Sequence, residues 1–336
     1  MFLLGLWSLS LFTFAAFTGC SDDDEDELVG NWKKVSDFEG VSRSDAATFT
    51  INNTAYLCTG YDGKVYLGDM WEFNQNANDK KGAWTQKASM ESGRDYAVAF
   101  GTSNAGYVGL GYDGDNYLND FWKYDPASNS WTQMADFGGS ARRSATAFAI
   151  DGKGYVGTGY DGNYLKDFWC YNPGSDSWTQ VTSIGGTKRR GASSFVIGTT
   201  AYVICGENNA DPVNDFWAYN ASTDTWTEKR KIANVTEEDY DDDYNIVRCF
   251  GVAFVMNGKA YVTCGEINGS MRRDTWEWDP ITDLWEQRTS FEKTARTGAV
   301  AFAVDNRGFV TTGRSSTYRF DDMHEFFPTE EYDEYD

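Results

Sequence analysis

Six copies of one block of sequence predict an all-β chain folded as a six-bladed β-propeller of four-stranded blades, closed by an N-terminal strand that completes the last blade. Three observations carry this expectation. The first is the period. The glycine ending a Tyr-Val-x-x-Gly-type run falls at Gly60, Gly111, Gly159, Gly206, Gly265 and Gly313, with gaps of 51, 48, 47, 59 and 48 residues. A later tryptophan, usually followed by threonine, recurs at Trp84, Trp131, Trp178, Trp226 and Trp285. Self-similarity at such a period marks an array of small units, none able to bury its apolar face alone. The second is the content of a unit. The third copy holds Ala145-Thr-Ala-Phe-Ala-Ile150, Gly154-Tyr-Val-Gly-Thr158, Asp167-Phe-Trp-Cys-Tyr171 and Ser177-Trp-Thr-Gln180. All are short, aromatic or β-branched, and bounded by turn residues, so they read as four strands of a meander. The third is the broken last copy. It runs from Arg296 through Gly313 to Asp322–Pro328 and lacks its Trp strand, while Gly30-Asn-Trp32 stands unclaimed before the first copy. Pairing the two ends removes an open edge, so residues 31–328 are expected to form one closed wheel.

The Tyr-Val-x-x-Gly, Asp-Phe-Trp-x-Tyr-Asp-Pro and Trp-Thr elements resemble the kelch repeat across essentially the whole chain after its leader. The usual Gly-Gly doublet reads Gly-Tyr in copies one to three and Gly-Glu in copies four and five. Kelch propellers include oxidases with the galactose oxidase fold, sugar epimerases and pure binding modules, so the resemblance implies a fold and leaves the activity open.

The flanks have their own chemistry. Residues 1–19 are apolar and end in Phe17-Thr18-Gly19 before Cys20. They read as a signal peptide rather than a membrane span and resemble that of a bacterial lipoprotein, with Cys20 as the lipidated first residue. Residues 20–30 form an acidic tether whose Ser21-Asp-Asp-Asp-Glu-Asp26 run resembles the tag after the lipidated cysteine of bacterial surface lipoproteins. Residues 329–336 form an acidic tail. The expected location is the bacterial outer membrane, at the cell surface.

A formal net charge of −22 repels phosphate backbones, so no nucleic-acid partner is expected. Cys58, Cys170, Cys205, Cys249 and Cys264 form no disulfide framework, and Cys58, Cys205 and Cys264 read as small core residues. No Cys-x-x-Cys occurs and there is a single histidine, so no metal or other cofactor is expected. In the acidic cluster Glu237–Tyr244, Asp239, Asp241 and Asp243 alternate as in a calcium loop. The sixth and twelfth positions are Tyr244 and Phe250 instead of Gly and Glu, which favours a solvated loop.

Strand order places the loop entering each first strand and the loop joining second to third strands on one face. There Arg43, Arg94, Arg142, Arg189, Arg248 and Arg296 each precede a Phe by six residues, giving one guanidinium per blade where the innermost strand begins, around one mouth of the channel. Six like charges this close need partners. Asp69, Asp120, Asp167, Asp215, Asp274 and Asp322 also recur once per blade. The arginines are therefore either internal staples to these carboxylates or a ring that binds an anion, such as a sugar carboxylate or an acidic peptide. The last blade is the least symmetric, because Arg314 stands where other copies carry Tyr or Glu. Tyr61, Tyr112 and Tyr160 follow the turn glycine on the same face and could stack on sugar rings.

The copper chemistry implied by galactose oxidase needs two histidines. The only one, His324, occupies the Trp position of the sixth blade's third strand, so that centre cannot be built. A sugar epimerase, as the resemblance allows, needs only a positioned acid or base, and Glu207 and Glu266 lie on the arginine face. The expectation is a surface-anchored, non-catalytic propeller that binds a glycan or a neighbouring envelope protein at that face. The alternatives are a sialic acid epimerase or a structural subunit of an outer-membrane complex.

Overall fold

The computed structural model describes residues 28–333 and 335. The expected signal peptide, Cys20 and the tether up to residue 27 lie outside the described residues. Twenty-four strands form six antiparallel four-stranded blades. From the channel outward, blade one is Ala47–Ile51, Thr54–Cys58, Met70–Asn74 and Ala83–Lys87. Blade two is Val98–Gly101, Gly106–Gly109, Phe121–Asp125 and Ser130–Met134. Blade three is Thr146–Ile150, Lys153–Gly157, Phe168–Asn172 and Ser177–Val181. Blade four is Ser193–Ile197, Thr200–Ile204, Phe216–Asn220 and Thr225–Glu228. Blade five is Val252–Met256, Lys259–Thr263, Thr275–Asp279 and Leu284–Arg288. Blade six is Thr297–Val304, Arg307–Ser315, Asp322–Phe327 and, from the other end of the chain, Asn31–Asp37.

The closure is the one the broken last copy predicts. Asn31 pairs with Phe327, Trp32 with Phe326 and Asp37 with Asp322. Trp32 thereby takes the outer-strand tryptophan position of blade six. Its indole Nε1 donates to the Thr289 carbonyl of blade five at 3.3 Å. Trp131, Trp178 and Trp226 reach back to Ala88, Ala135 and Thr182 in the same way.

Alternation along each strand sends aromatic rings into the seams between blades. On the two inner strands, directly opposed rings pair: Phe49 with Tyr56 at 5.2 Å and Phe148 with Tyr155 at 5.4 Å between centroids. Each second-strand ring also meets the third strand of a neighbouring blade, as Tyr56 meets Tyr124, Tyr155 meets Tyr219 and Tyr261 meets Phe326. The last contact joins blade five to blade six, so the aromatic belt runs through the closure. Each such pair adds about 0.5–1.5 kcal/mol beyond the area it buries. The fit demands small residues opposite. A Cβ on Gly154 would lie 1.9 Å from the ring of Phe100 in the preceding blade.

The acidic insertion between blades four and five folds around Asp241, which is fully buried. Its carboxylate accepts from the amides of Val235 and Thr236 and from the Thr236 hydroxyl. Asp239 and Asp243 are exposed. Asp241 is thus the knot of the loop, and its oxygens are turned to the chain rather than to a cation.

Candidate binding site at the channel mouth

The six repeating arginines do not line the mouth as free charges. Arg43, Arg94, Arg142, Arg189, Arg248 and Arg296 are each at most 1 % exposed. Arg142 shows the pattern. Its Nη1 and Nη2 donate to the two oxygens of Asp167 at 2.7 and 2.9 Å, its Nη1 also to the Thr158 carbonyl, and its Nε to the Ser140 carbonyl. Arg43, Arg94, Arg189 and Arg296 grip Asp69, Asp120, Asp215 and Asp322 through both oxygens, and Arg248 grips Asp274. Burial opposes ionisation of Asp167, but the hydrogen bonds and charge of Arg142 outweigh it and hold the carboxyl below its ordinary range. Asp274 is drawn down to about 2. Of the two readings of these six guanidiniums, the geometry supports the staple and not the anion-binding ring, because their donors face the protein. Each staple joins two strands of one blade. The arginine carbonyl then ties blades together by accepting from the strand-ending glycine of the preceding one, as Arg94 does from Gly60 and Arg43 from Gly313.

Two residues after each arginine the chain turns left-handed, at Asp45, Tyr96, Ser144, Gly191, Phe250 and Gly298. Their peptides form a closed circle. The amide of Asp45 donates to Gly298, Tyr96 to Asp45, Ser144 to Tyr96, Gly191 to Ser144, Phe250 to Gly191 and Gly298 to Phe250, over 2.7–3.3 Å. This circle narrows the mouth and satisfies backbone groups that no strand could pair. At its level lies a cavity of about 160 Å³. The rings of Tyr96 and Phe250, from opposite blades, meet across it at 5.5 Å.

The working surface is built from residues that do not repeat. Tyr61, Tyr66, Tyr112, Tyr117, Tyr160 and Tyr164 form a crescent over blades one to three, successive centroids lying 4.7–6.1 Å apart. The three tyrosines expected from sequence are therefore there, with three partners. Arg143 sits inside the crescent, 5.3–5.6 Å from the rings of Tyr96, Tyr112 and Tyr117. Its buried Nε has no hydrogen-bond partner among the described residues. Arg190 pairs with Glu207 at 2.6 Å and lies over Tyr160 and Tyr164. Arg314 stands 3.9 Å from Asp45.

Four carboxylates share this surface. Burial raises Asp45 to about 6, against the pull of Ser44 and Arg314. Burial and the charge of Asp45 raise Asp95 to about 7, against Arg143, and Asp95 Oδ1 has no hydrogen-bond partner among the described residues. Burial also raises Glu266, with Arg314 opposing. Glu207 is held by Arg190 and accepts a weak bond from the Cys249 thiol at 3.7 Å.

Sequence reasoning missed Arg143, Arg190, Asp45, Asp95, Tyr96 and Phe250. The signal was present. Once the repeating arginine fixes the register, the next two positions of each copy read Ser-Asp, Asp-Tyr, Arg-Ser, Arg-Gly, Cys-Phe and Thr-Gly. A position that varies against a constant frame is where one face of a symmetric wheel becomes specific.

Fold and mouth together define a class: a six-bladed propeller whose narrow, small-residue channel opens at one face onto an asymmetric aromatic and charged rim. The chain belongs to the kelch-repeat family. The family model described as the KLHDC2/KLHL20/DRC7 Kelch-repeats domain matches residues 30–206, and the Kelch motif matches residues 188–231. Kelch-like protein 35 of Mus musculus is 28% identical over 104 residues, and that of Homo sapiens 27% over 111. Each match covers 31% of this chain and 17% of the relative's length. The solved structure of YjhT superposes with a TM-score of 0.71 at 16% identity, covering 86% of this chain and 96% of that one. That likeness shows the fold.

Proposed function

We propose that this chain is a non-catalytic interaction propeller that binds an acidic glycan at the channel mouth. The observation that carries the reading is Arg143, a half-buried guanidinium held among three tyrosine rings with no salt bridge and no side-chain hydrogen bond among the described residues. Aromatic faces suit the apolar faces of sugar rings, and a desolvated arginine suits a carboxylate. Anchoring through Cys20, which rests on the sequence, would set the orientation of the wheel. The outer strand of blade six starts at Asn31, beside Phe327, and ends at Asp37, beside Asp322 at the mouth face. A lipid on Cys20 would therefore hold the wheel by its opposite face and leave the mouth pointing away from the membrane.

Titration calorimetry with uronate-containing and matched neutral oligosaccharides tests the ligand. The uronates should bind, and Arg143→Ala should weaken them at least tenfold while leaving the melting temperature nearly unchanged. Equal affinity for neutral and acidic chains, or an indifferent Arg143→Ala, would defeat the reading. Fatty-acid labelling that survives Cys20→Ala would defeat the anchor.

A second reading, a sugar epimerase, draws on Glu266, which is half-buried in the mouth and whose carboxyl burial raises above its ordinary range, Arg314 opposing. It requires exchange of sugar epimers or anomers by purified protein, abolished by Glu266→Gln. Absence of such exchange leaves the binding reading standing.

A further inference from the structure

Blade six shares its hairpin form with blades four and five but carries Arg314 at the mouth where the other blades carry Tyr or Glu. Its second and third strands are joined by a tight hairpin in which Arg314 pairs with Arg319 and Ser315 with Tyr318. Beside it, blade one presents the loop Asp62-Gly63-Lys64. Between the two lies an open cavity of about 430 Å³, lined by Asp62, Gly63, Lys64, Arg314, Thr317 and Arg319 among others. That volume lies within the range of small-molecule sites.

Its charge runs against that of the chain. Three cations, Lys64, Arg314 and Arg319, face one carboxylate, Asp62, in a protein of net charge −22. Asp62 is tied to its own loop, since its Oδ1 accepts from the amides of Lys64 and Val65 at 2.7 Å each, and it offsets only part of the nearby charge of Arg319 and Lys64. Arg314 has the buried Asp45 on its throat side. Arg319 is fixed through Nε to the Tyr61 carbonyl and through Nη1 to the Thr317 carbonyl. Its Nη2 has no hydrogen bond and the Lys64 ammonium no salt bridge among the described residues. Gly63 makes room for this arrangement. It is left-handed, and a Cβ there would lie 2.6 Å from Arg319 Nη1. The Arg319 guanidinium also lies 4.9 Å from the centre of the Tyr61 ring, the first ring of the crescent. The cavity is therefore continuous with the aromatic rim.

We infer that this seam between blades six and one is an oxyanion subsite for a sulfate or phosphate ester carried by the same glycan, whose rings lie along the tyrosine crescent. The inference rests on the mouth reading for its sugar, but the subsite has its own residues. Lys64 supplies a mobile point charge. Arg319 supplies a fixed donor, and Arg314 marks the boundary with the mouth.

The experiment uses the full chain, a uronate oligosaccharide, its sulfated and phosphorylated counterparts, and inorganic sulfate and phosphate as small probes. An ester should tighten binding at least tenfold over the plain uronate, and raised salt should shrink that gain. The arm that shows the larger gain identifies the ester. Lys64→Gln should remove most of the gain and Lys64→Glu nearly all, with uronate affinity unchanged in both. Lys64 is an exposed loop position, so thermal melts of both variants should match wild type. If uronate binds but neither ester adds affinity, or if Lys64→Glu keeps the gain, the subsite is refuted and the mouth reading survives. If no uronate binds while inorganic sulfate or phosphate binds in a Lys64-dependent way, the mouth reading falls and the subsite stands.

Discussion

Arg142 and Arg143 are neighbours with opposite fates. Arg142 is sealed in a bidentate pair with Asp167, while Arg143 lies among the mouth tyrosines with no side-chain hydrogen bond among the described residues. Removing one partner of a buried pair strands the other charge. Arg142→Ala should therefore lower unfolding free energy by about 3–5 kcal/mol in chemical denaturation, whereas Arg143→Ala, which loses ring contacts but strands no paired charge, should cost no more than about 1–2 kcal/mol. The carboxylates of the throat make a second case. Asp95, 6 % exposed, titrates near 7 in the fold against about 3.9 in an unfolded chain. A raised carboxyl gives its stability below the unfolded value and loses it as pH climbs through the folded one. Asp95→Asn should accordingly stabilise the protein by at least about 1 kcal/mol at pH 8, with the gain fading by pH 5. A variant no more stable at pH 8 than at pH 5, relative to wild type, would contradict this. Proteins keep such costly groups where function needs them.

Among the elements, the third strand of blade six stands apart. In blades one, two, three and five a tryptophan two residues beyond the staple aspartate donates to it, as Trp71 does to Asp69 and Trp169 to Asp167. Blade six has His324 there, 3.8 Å from Asp322, with neither ring nitrogen hydrogen-bonded among the described residues. It packs edge-on against Phe291 at 5.1 Å. Burial pushes its pKa down to about 4, Asp322 opposing. A lowered histidine is stabilising while neutral, so its contribution is present above about 6.5 and is lost as pH falls towards 4. The sign is opposite to that of Asp95, and single variants separate them. His324→Phe should resist acid better than wild type between pH 6.5 and 4. Denaturation midpoints at pH 7 and pH 5 that shift equally in both proteins would rule this out.

At the scale of the whole molecule, stability depends on a seam joining residues from the two ends of the described chain. Trp32 is fully buried among Phe254, Phe291 and Phe326. Trp32→Ala should cost about 3–5 kcal/mol. Amide exchange should rise first in residues 31–37 and 322–327, because a ring opened at the strand pairing that joins its two ends becomes an open array with two edges. Uniform exchange around all six blades in that variant would argue against the seam as the weak point.

The sequence by itself determined whatever the period imposes: four strands per unit, six units, the borrowed strand at Trp32, and an arginine and an aspartate in every blade at matching places. Those features answer constraints repeated six times, so each copy confirms the others. It left open whether the arginine turns to ligand or to Asp, because a long side chain at the start of a strand can reach either way; tertiary burial decided that. Nor could spacing reveal the mouth. Tyr96 and Phe250 lie in blades far apart in the chain and touch only after the ring has closed, and Arg143 gains its tyrosine cage from two other loops. Symmetry is written along the chain, whereas the break in symmetry that makes a site exists only where the blades converge.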